Sequence, residues 1–284
     1  MNTPDLAQAP AVPAPLHIPA YLFRLLRAAV RPLYWWYEQR LAADVSRGHI
    51  PLHIGVILDG NRRFARGIGL DARRGHEYGV SKVHELLEWC LRLGIRNVTL
   101  FVFSTENFAR QPEEVEYLFD LFVRESHKLI ANPRIKARKV RIKVIGRRSE
   151  LPDAVVTAAE ELERSTLEHD GMRLNIAFGY GGREEIVDGV KKLLLEAEAQ
   201  QRSPAEVAGQ LTAAQISAYL YTADIPDPDF IIRTSGELRL SGFLLWQAAY
   251  SEYYFCDALW PSFRRIDFLR AIRSYQGRER RFGC

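Results

Sequence analysis

A short apolar run that ends in an acid and a group of arginines constrains the fold most. Ile54 to Leu58 is brief and rich in β-branched residues, which predicts a strand buried on both faces of a parallel sheet. Asp59 then stands at the carboxyl end of that strand, where open α/β sheets bind ligands. The combination of this acid with the residues after it indicates a metal-bound phosphate, and the alternative is an ordinary strand-to-helix turn with solvated arginines. The residues after the acid are Gly60, Asn61, Arg62, Arg63 and Arg66.

Apolar runs of strand length alternate with segments of helical spacing along most of the chain. Between Val80 and Cys90, for example, apolar residues recur at helical spacing, and Gly94 closes the pattern. Such alternation implies right-handed crossovers and a parallel sheet with helices on both faces. The sequence therefore predicts a single α/β domain with a mostly parallel central sheet of about six strands. The predicted strands lie near residues 54–58, 97–103, 140–145, 173–178 and 229–232, with 243–246 and 253–255 supplying the last.

Charge and cysteine content narrow the class of partner and the compartment. The 284 residues carry a formal charge of +4 and a sequence pI near 9.0, which favours phosphorylated metabolites, nucleic acid or an acidic membrane surface as partners. Cys90, Cys256 and Cys284 match no zinc or disulfide pattern, so they predict reduced thiols in the cytoplasm. No apolar stretch reaches the roughly 20 residues that span a bilayer, and the N-terminus lacks a signal-peptide pattern.

Two segments precede the predicted domain. Residues 1–20 are rich in Pro and Ala and predict a disordered tail. Residues 21–50 follow an amphipathic helical pattern, with apolar residues on one face of the helix and arginines on the opposite face. Pro32 is expected to start a second helix or to kink the first. Two interpretations of residues 21–45 stay open: they lie on a membrane surface, or they pack against the domain or a second subunit.

Polar clusters follow three of the predicted strands, and in a parallel sheet those strand ends lie on one side. The clusters begin at Asp59, Ser104 and Arg233, so we expect them to form one site. Arg233 and Arg239 suit a diphosphate, because guanidinium groups bind phosphate oxygens bidentately, and the Ser241 hydroxyl adds a donor.

Acidic residues elsewhere in the chain lead to two further expectations. Glu113 and Glu114 follow Pro112, an order that predicts the first turn of a helix, because proline fits there and acids favour its positive end. Glu252 lies in an apolar stretch, 246–255, where an unpaired carboxylate would be costly. A metal ion or an arginine partner would explain it.

Several motifs in one order resemble those of the cis-prenyltransferases, the family that includes undecaprenyl diphosphate synthase and short-chain Z-farnesyl diphosphate synthases. They extend from Pro51 to Gly283 and read HIGVILDGNRR, FSTENF, RTSGELRLSGFLLWQAAYSEYYF, LWP and RERRFG. The resemblance implies an enzyme that joins isopentenyl diphosphate to an allylic diphosphate, geranyl or farnesyl, in cis configuration and releases diphosphate. It also implies a fold like that of undecaprenyl diphosphate synthase, with an apolar product channel, and a catalytic domain formed by residues 51–284.

The resemblance also implies roles for individual residues. Asp59 would hold Mg²⁺ on the allylic diphosphate, and Asn107 would lie near the proton to be removed. As a loop residue, Asp59 is expected to contribute little to packing, so that its replacement leaves the fold intact. The implied substrate-binding residues of the allylic site and active-site wall are Gly60, Asn61, Arg62, Arg63, Phe64, Arg73, His76, Ser104, Thr105, Glu106, Phe108 and Arg110, and those for isopentenyl diphosphate are Arg233, Arg239, Leu240 and Ser241.

A second copy of the chain is implied as a partner, besides the two substrates, and nucleic acid is not. Glu252 would be a metal ligand at the interface of this homodimer. Arg281-Phe282-Gly283 would reach the isopentenyl diphosphate site of the neighbouring copy.

Some positions depart from the pattern of long-chain bacterial enzymes. Phe64 and Phe108 replace tryptophans, which keeps an apolar wall. The phosphate-binding arginine expected four residues before the motif histidine falls on Ala72, so Arg73 or Arg74 is expected to take over its contact.

The product is predicted to be short to medium in length. The arginine at position 62 is similar to the short-chain subgroup, and Val102 stands where long-chain enzymes tend to carry alanine. Phe119 and Phe122 place bulky rings on the helix expected to line the channel. The length of segment 115–138 favours the alternative, a long-chain undecaprenyl or decaprenyl diphosphate synthase.

Two other classes of protein compete with this prediction. Basic loops at strand ends also suit a nucleotide-binding enzyme, but neither G-x-G-x-x-G after a strand nor G-x-x-x-x-G-K-[ST] occurs. Non-catalytic partner subunits of prenyltransferases lose the acid of the first loop, whereas Asp59, Asn107, Arg233 and Glu252 are all present here. An active enzyme is therefore the expectation.

Overall fold

A computed structural model describes residues 20–278, with side chains from residue 31 onward. One compact unit begins at Asp44, and the described residues before it belong to a separate unit. The predicted tail, apart from Ala20, and the Arg281-Phe282-Gly283 segment lie outside the described residues.

The larger unit contains a six-stranded sheet in which every neighbouring pair is parallel. The order across the sheet is β3-β4-β2-β1-β5-β6. This confirms the predicted α/β fold with a parallel central sheet. The strands are β1 (His53–Ile57), β2 (Asn97–Ser104), β3 (Arg141–Ile145), β4 (Arg173–Tyr180), β5 (Phe230–Arg233) and β6 (Glu252–Phe255).

Helices precede, connect and follow the strands. They are α1 (Ala20–Arg47), α2 (Asn61–Gly67), α3 (Ala72–Leu93), α4 (Pro112–Ala131), α5 (Pro133–Ala137), α6 (Asp153–Ser165), α7 (Gly182–Ala199), α8 (Pro204–Gln210), α9 (Ala213–Tyr219) and α10 (Arg265–Gln276). Short 3₁₀ turns lie at Thr105–Ala109, Arg148–Glu150, Gln247–Tyr250 and Trp260–Ser262. Across residues 20–278, no helix combines the length and the apolar character required to cross a membrane.

Strand β1 shows why the apolar run constrains the fold. All five of its residues are buried, and β2 and β5 pair with it on its two sides. Gly55 suits this position, because a Cβ atom there would come within 2.5 Å of Ile231 and 2.8 Å of the Phe243 ring. Each fully buried isoleucine or valine stabilises the fold by about 1.5–3 kcal/mol. The loop after β1 is therefore held by well-packed strands on both sides.

Local sequence signals explain the ends of α3. The Asp71 side chain accepts a hydrogen bond from the Arg74 backbone N–H at 3.0 Å, which satisfies one free donor of the first turn. Gly94 adopts a left-handed conformation, with a φ of 77°, directly after the last helical residue. The prediction that the helix ends at Gly94 is confirmed.

One predicted element differs from the structure, and another is narrowed to one of its alternatives. Helix α1 includes Pro32 and continues to Arg47, so no second helix starts there, and the kink at Pro32 stays a prediction. Residues 243–246 form turns instead of a strand. They are apolar because Phe243 and Leu244 are buried in the core, not because they pair in the sheet.

Candidate active site

Loops that follow neighbouring strands line one cleft at the carboxyl side of the sheet. Ile57, at the end of β1, pairs with Phe101 of β2 and with Arg233 of β5, so the segments after these strands open on the same side. The structure thereby brings together most of the predicted residues, whose binding roles stay predictions. Those in the lining are Asp59, Gly60, Asn61, Arg62, Arg63, His76, Ser104, Asn107, Arg110, Arg233, Arg239 and Ser241.

Asp59 is ion-paired in this cleft. Its Oδ2 accepts a hydrogen bond from Arg233 Nη2 at 2.8 Å, and its Oδ1 lies 3.4 Å from Arg63 Nη2. Burial alone would raise the pKa of Asp59, but the Arg233 hydrogen bond and the charges of both arginines bring it below its ordinary value. The Arg233 side chain is only 4% exposed. Asp59 is therefore also the counter-ion of a buried guanidinium, a part in the fold that the sequence analysis did not assign to it.

The loop after β5 wraps around the Arg233 guanidinium. Its Nη1 donates to Ser241 Oγ at 2.9 Å and also to the Arg239 backbone carbonyl. Ser235 and Ser241 have φ values of 86° and 50°, in the left-handed region that is costly for residues other than glycine. The buried arginine thus holds a strained loop in one arrangement.

Thr234 positions Asp59 and was not singled out from the sequence. Its Oγ1 accepts a hydrogen bond from the Asp59 backbone N–H at 3.1 Å and donates to the Asp59 carbonyl at 2.7 Å. Its side chain is completely buried. Its place directly after Arg233 at a strand end is the signal that could have identified it.

Asn107 is held by a short turn that starts after β2. Its Oδ1 accepts a hydrogen bond from the Ser104 backbone N–H at 3.1 Å, so the amide is fixed at the cleft lining. Thr105 and Glu106 belong to the same turn but do not line the cleft.

Two carboxylates that the sequence analysis did not place in the site contact its basic residues. Glu237 pairs with Arg63 at 3.4 Å and with Arg239, and its place in the RTSGELRLSG motif is a signal for it. No sequence signal separates Glu114 from its neighbour Glu113. Glu114 nevertheless contacts three bases of the cleft: Arg62, His76 and Arg110.

An apolar cavity adjoins the cleft. It is lined mainly by apolar residues of α3, α4, β2 and β4, and it shares five lining residues with the cleft: Leu58, Asn61, His76, Val102 and Leu118. Phe122 lines the cavity, but Phe119 does not. The Phe119 ring packs instead against Phe103 and Phe178, with centroids 5.5 Å and 6.1 Å away. The expectation that both rings line the channel therefore holds only for Phe122.

Three predicted substrate-binding residues do not line the cleft. The Phe64 ring meets Tyr78 edge-on at 5.5 Å. Phe108 meets Phe103 edge-on at 5.0 Å, and Leu240 packs against the core beneath the loop after β5.

Neither arginine expected to compensate for Ala72 reaches the cleft. Arg73 is exposed, and its guanidinium lies over the Tyr117 ring at 5.3 Å. Arg74 pairs with Glu77 on the surface of α3 at 2.7 Å. Both side chains lie on the exposed side of the first turn of α3, away from the cleft.

Glu252 lies at the amino-terminal ends of the strands, whereas Asp59 follows the carboxyl end of β1. It starts β6, level with Phe230 and Ile54 at the amino ends of their strands. Its carboxylate pairs with Arg278 at 2.6 Å. One copy of the chain therefore does not bring Glu252 to Asp59 for a shared metal ion, and the metal-binding role of Glu252 stays a prediction.

A basic cleft lined by many arginines and two carboxylates, Asp59 and Glu237, and joined to an apolar cavity is typical of an enzyme that handles phosphate esters of apolar compounds. The family model described as putative undecaprenyl diphosphate synthase matches residues 57–283. The chain belongs to this family and is a cis-prenyltransferase, as its motifs predicted.

Relatives with different products share most of the chain. It is 63% identical over 262 residues to an isoprenyl transferase of Thermus thermophilus, and the aligned region covers 92% of this chain and 100% of that one. It is 48% identical over 264 residues to a geranylgeranyl-diphosphate-specific tritrans,polycis-undecaprenyl-diphosphate synthase of Methanopyrus kandleri, covering 92% and 96%. It is also 48% identical over 254 residues to a (2Z,6E)-farnesyl diphosphate synthase of Thermobifida fusca, covering 89% and 98%.

A solved structure supports the fold. The crystal structure of lavandulyl diphosphate synthase from Lavandula x intermedia, in complex with dimethylallyl diphosphate, superposes with a TM-score of 0.77 at 31% identity. It covers 83% of this chain and 99% of that one.

Proposed function

We propose that the chain condenses isopentenyl diphosphate with an allylic diphosphate in cis configuration and releases diphosphate. The observation that carries this proposal is the continuity of the polar cleft with the apolar cavity through shared lining residues. A substrate with a diphosphate at one end and an isoprenoid chain at the other suits both. Relatives named isoprenyl transferase and farnesyl or undecaprenyl diphosphate synthase support the same reaction class.

We assign the allylic diphosphate to the half of the cleft around Asp59. Gly60 has a φ of 112°, and a side chain there would press against Leu259 at 3.0 Å, so glycine suits the turn into α2. The members of this half are Asp59, Gly60, Asn61, Arg62, Arg63 and His76.

Asp59 fits a magnesium ion. Mg²⁺ usually takes one or two protein carboxylates and completes its shell with water and substrate phosphates. Asp59 offers a partly exposed carboxylate, and the described part of the chain holds no cluster of three or more His, Cys, Asp or Glu that could enclose a metal by itself. When bound to Asp59 and the diphosphate, the ion would supply charge neutralisation for the phosphate oxygens.

We assign isopentenyl diphosphate to the half around Arg239 and Ser241. The Arg239 side chain is 64% exposed and pairs with Glu237 at the cleft lining, where a phosphate can compete for its guanidinium, whereas Arg233 is buried and holds the loop. Donors around the departing diphosphate stabilise the charge that develops as the allylic C–O bond breaks. The double bond of isopentenyl diphosphate then attacks the allylic cation, and the proton is lost beside Asn107.

Incubation with labelled isopentenyl diphosphate, an allylic primer and Mg²⁺ tests the proposal. Label should enter an extractable prenyl diphosphate, and chelation of the metal should stop it. No label in the lipid fraction would overturn the proposal and favour a non-catalytic partner subunit. Tight binding of a nucleotide that competes with neither substrate would favour the nucleotide-binding alternative.

We further propose a short to medium product, limited by the walls of the cavity. Val102 lines both the cleft and the cavity, and Phe122 adds a ring to the cavity wall. A close-packed interior has no slack for further isoprene units. The long-chain alternative draws support from the cavity lining, which continues along α4 as far as Leu129.

We also propose a homodimer formed at the β6 edge of the sheet. β6 pairs with β5 on one side only, and in the segment before it Tyr250 is 79% and Leu245 37% exposed. Phe243 and Leu244 of the same apolar stretch are buried in the chain's own core. The surface offered to a partner is therefore smaller than the apolar stretch of the sequence predicts.

We propose that residues 21–45 touch the surface of a membrane. In α1, Trp35 is 63% and Trp36 52% exposed, and the Arg40 guanidinium lies over the Trp36 ring at 5.5 Å. Indole rings beside arginines favour the polar boundary of a bilayer. The wild type should sediment with anionic vesicles more than a Trp35→Ser/Trp36→Ser variant, and equal sedimentation would favour packing against protein.

The cytoplasm is the proposed compartment, with residues 51–284 as the catalytic domain. Cys90 is buried and Cys256 partly buried, and both are free thiols. Burial raises the pKa of the Cys90 thiol, so it is unreactive. Free thiols favour a reducing compartment.

A further inference from the structure

One carboxylate, Glu114, contacts three basic residues of the cleft. Its Oε1 lies 3.0 Å from Arg110 Nη1 and 3.3 Å from His76 Nε2. Its Oε2 lies 3.5 Å from Arg62 Nη1. The three bases line the cleft, whereas Glu114 does not, and its side chain is 16% exposed. Glu114 therefore touches the bases without forming part of the cleft lining.

These contacts tie three other segments to Glu114: Arg62 and His76 are distant from it along the chain, whereas Arg110 lies four residues before it. Arg62 belongs to α2, His76 to α3 and Arg110 to the end of the turn after β2, while Glu114 lies in the first turn of α4. A free arginine side chain loses up to about 2 kcal/mol of conformational freedom when it is fixed. A carboxylate that already restrains these side chains reduces the freedom lost when a substrate binds.

The positive charges of the arginines around Glu114 also require a counter-ion. Burial lowers the pKa of His76 and of Arg110, and the contacts with Glu114 act in the opposite direction. Burial would raise the pKa of Glu114 itself, but Arg110, Arg62 and His76 together bring it below its ordinary value. The carboxylate is therefore charged at neutral pH, and it offsets the mutual repulsion of Arg62 and Arg110.

We propose that Glu114 is a positioning residue for the allylic diphosphate. It holds Arg62, His76 and Arg110 with their remaining donors directed into the cleft, and it does not touch the substrate. The inference rests on the proposed function, which assigns this half of the cleft to the allylic diphosphate. Glu114 has no contact with Arg239 in the other half, so its influence is confined to one substrate.

Steady-state kinetics of Glu114→Gln, with each substrate varied in turn, test the proposal. The KM for the allylic diphosphate should rise about tenfold, the effect of losing one charge-assisted hydrogen bond, while the KM for isopentenyl diphosphate stays within about twofold. Glu114→Asp should recover part of the loss, because it keeps the charge. Glu113→Gln is the matched control: it removes the same charge from an exposed position of the same helical turn and should change neither KM.

Several results would overturn the role of Glu114. These are an unchanged or lower KM for the allylic diphosphate, an equal rise for both substrates, or the same effect from Glu113→Gln. Calorimetric binding of geranyl thiolodiphosphate, an unreactive allylic analogue, gives a readout without turnover and should be weaker for Glu114→Gln than for Glu113→Gln. Absence of turnover by the wild type would overturn the proposed function, whereas equal binding of the analogue by both variants would overturn the positioning role.

Discussion

Replacing Asp59 by alanine is expected to lower both the activity and the free energy of unfolding. The alanine would leave Arg233, only 4% exposed, without the carboxylate that now lies 2.8 Å away. An exposed ion pair contributes about 0–1 kcal/mol, and removing one partner of a buried pair costs about 3–5 kcal/mol. Because Asp59 itself is 30% exposed, we expect an intermediate loss of about 2 kcal/mol. The thermal midpoint should fall by about 4–8 °C in a domain of this size.

Turnover of the same variant should fall below about a tenth of the wild-type value, since charge neutralisation of a departing diphosphate contributes several kcal/mol. Urea unfolding without metal or substrate measures the stability term. Asp170→Ala is the control, because Asp170 and Lys139 form a pair in which both side chains are exposed, and its loss should stay within about 1 kcal/mol. Adding Arg233→Met to Asp59→Ala removes the stranded charge and should restore part of the lost stability but not turnover, because the hydrogen bonds from Arg233 to the Arg239 carbonyl and to Ser241 are lost as well. Equal urea midpoints for Asp59→Ala and Asp170→Ala, or no recovery in the double variant, would refute the counter-ion reasoning.

Three further predictions concern pH, product length and assembly. Burial lowers the pKa of His53 to about 4, so the unfolded chain binds a proton below about pH 6.5 that the folded chain does not bind. The free energy of unfolding measured in urea should therefore fall by about 2 kcal/mol between about pH 7.5 and 5. A similar fall in His53→Gln would count against this. Val102→Ala and Phe122→Ala should each lengthen the product seen by mass spectrometry, because each removes volume from the cavity wall. A wild-type product already of undecaprenyl length, unchanged in both variants, would contradict the proposal of a short to medium product. Light scattering at micromolar concentration should show a dimer for the wild type and a monomer for Tyr250→Asp, since a charge at the interface would lack a partner; a fully active wild-type monomer would argue against the interface.

The elements of the fold were predictable where the signal is local. The run from Ile54 to Leu58 predicted β1 to within one residue at each end, and Gly94 ended α3 as expected. The stretch 243–246 was misread because an apolar run has the same composition in a strand and in a buried turn. In the site, motif order was enough to place Asp59 and Arg233 in one cleft.

The sequence by itself determined the alternation of strands and helices, the loops that stand at the carboxyl ends of the strands, and the family to which the chain belongs. These properties depend on neighbours within a few residues and on the order of motifs. Only the tertiary structure decided which charges meet: Asp59 with the buried Arg233, and Glu114 with Arg62 and His76. It also decided that Phe119 turns away from the cavity. Such contacts join residues that are distant along the chain, and they depend on how whole helices and strands pack, which no local pattern encodes.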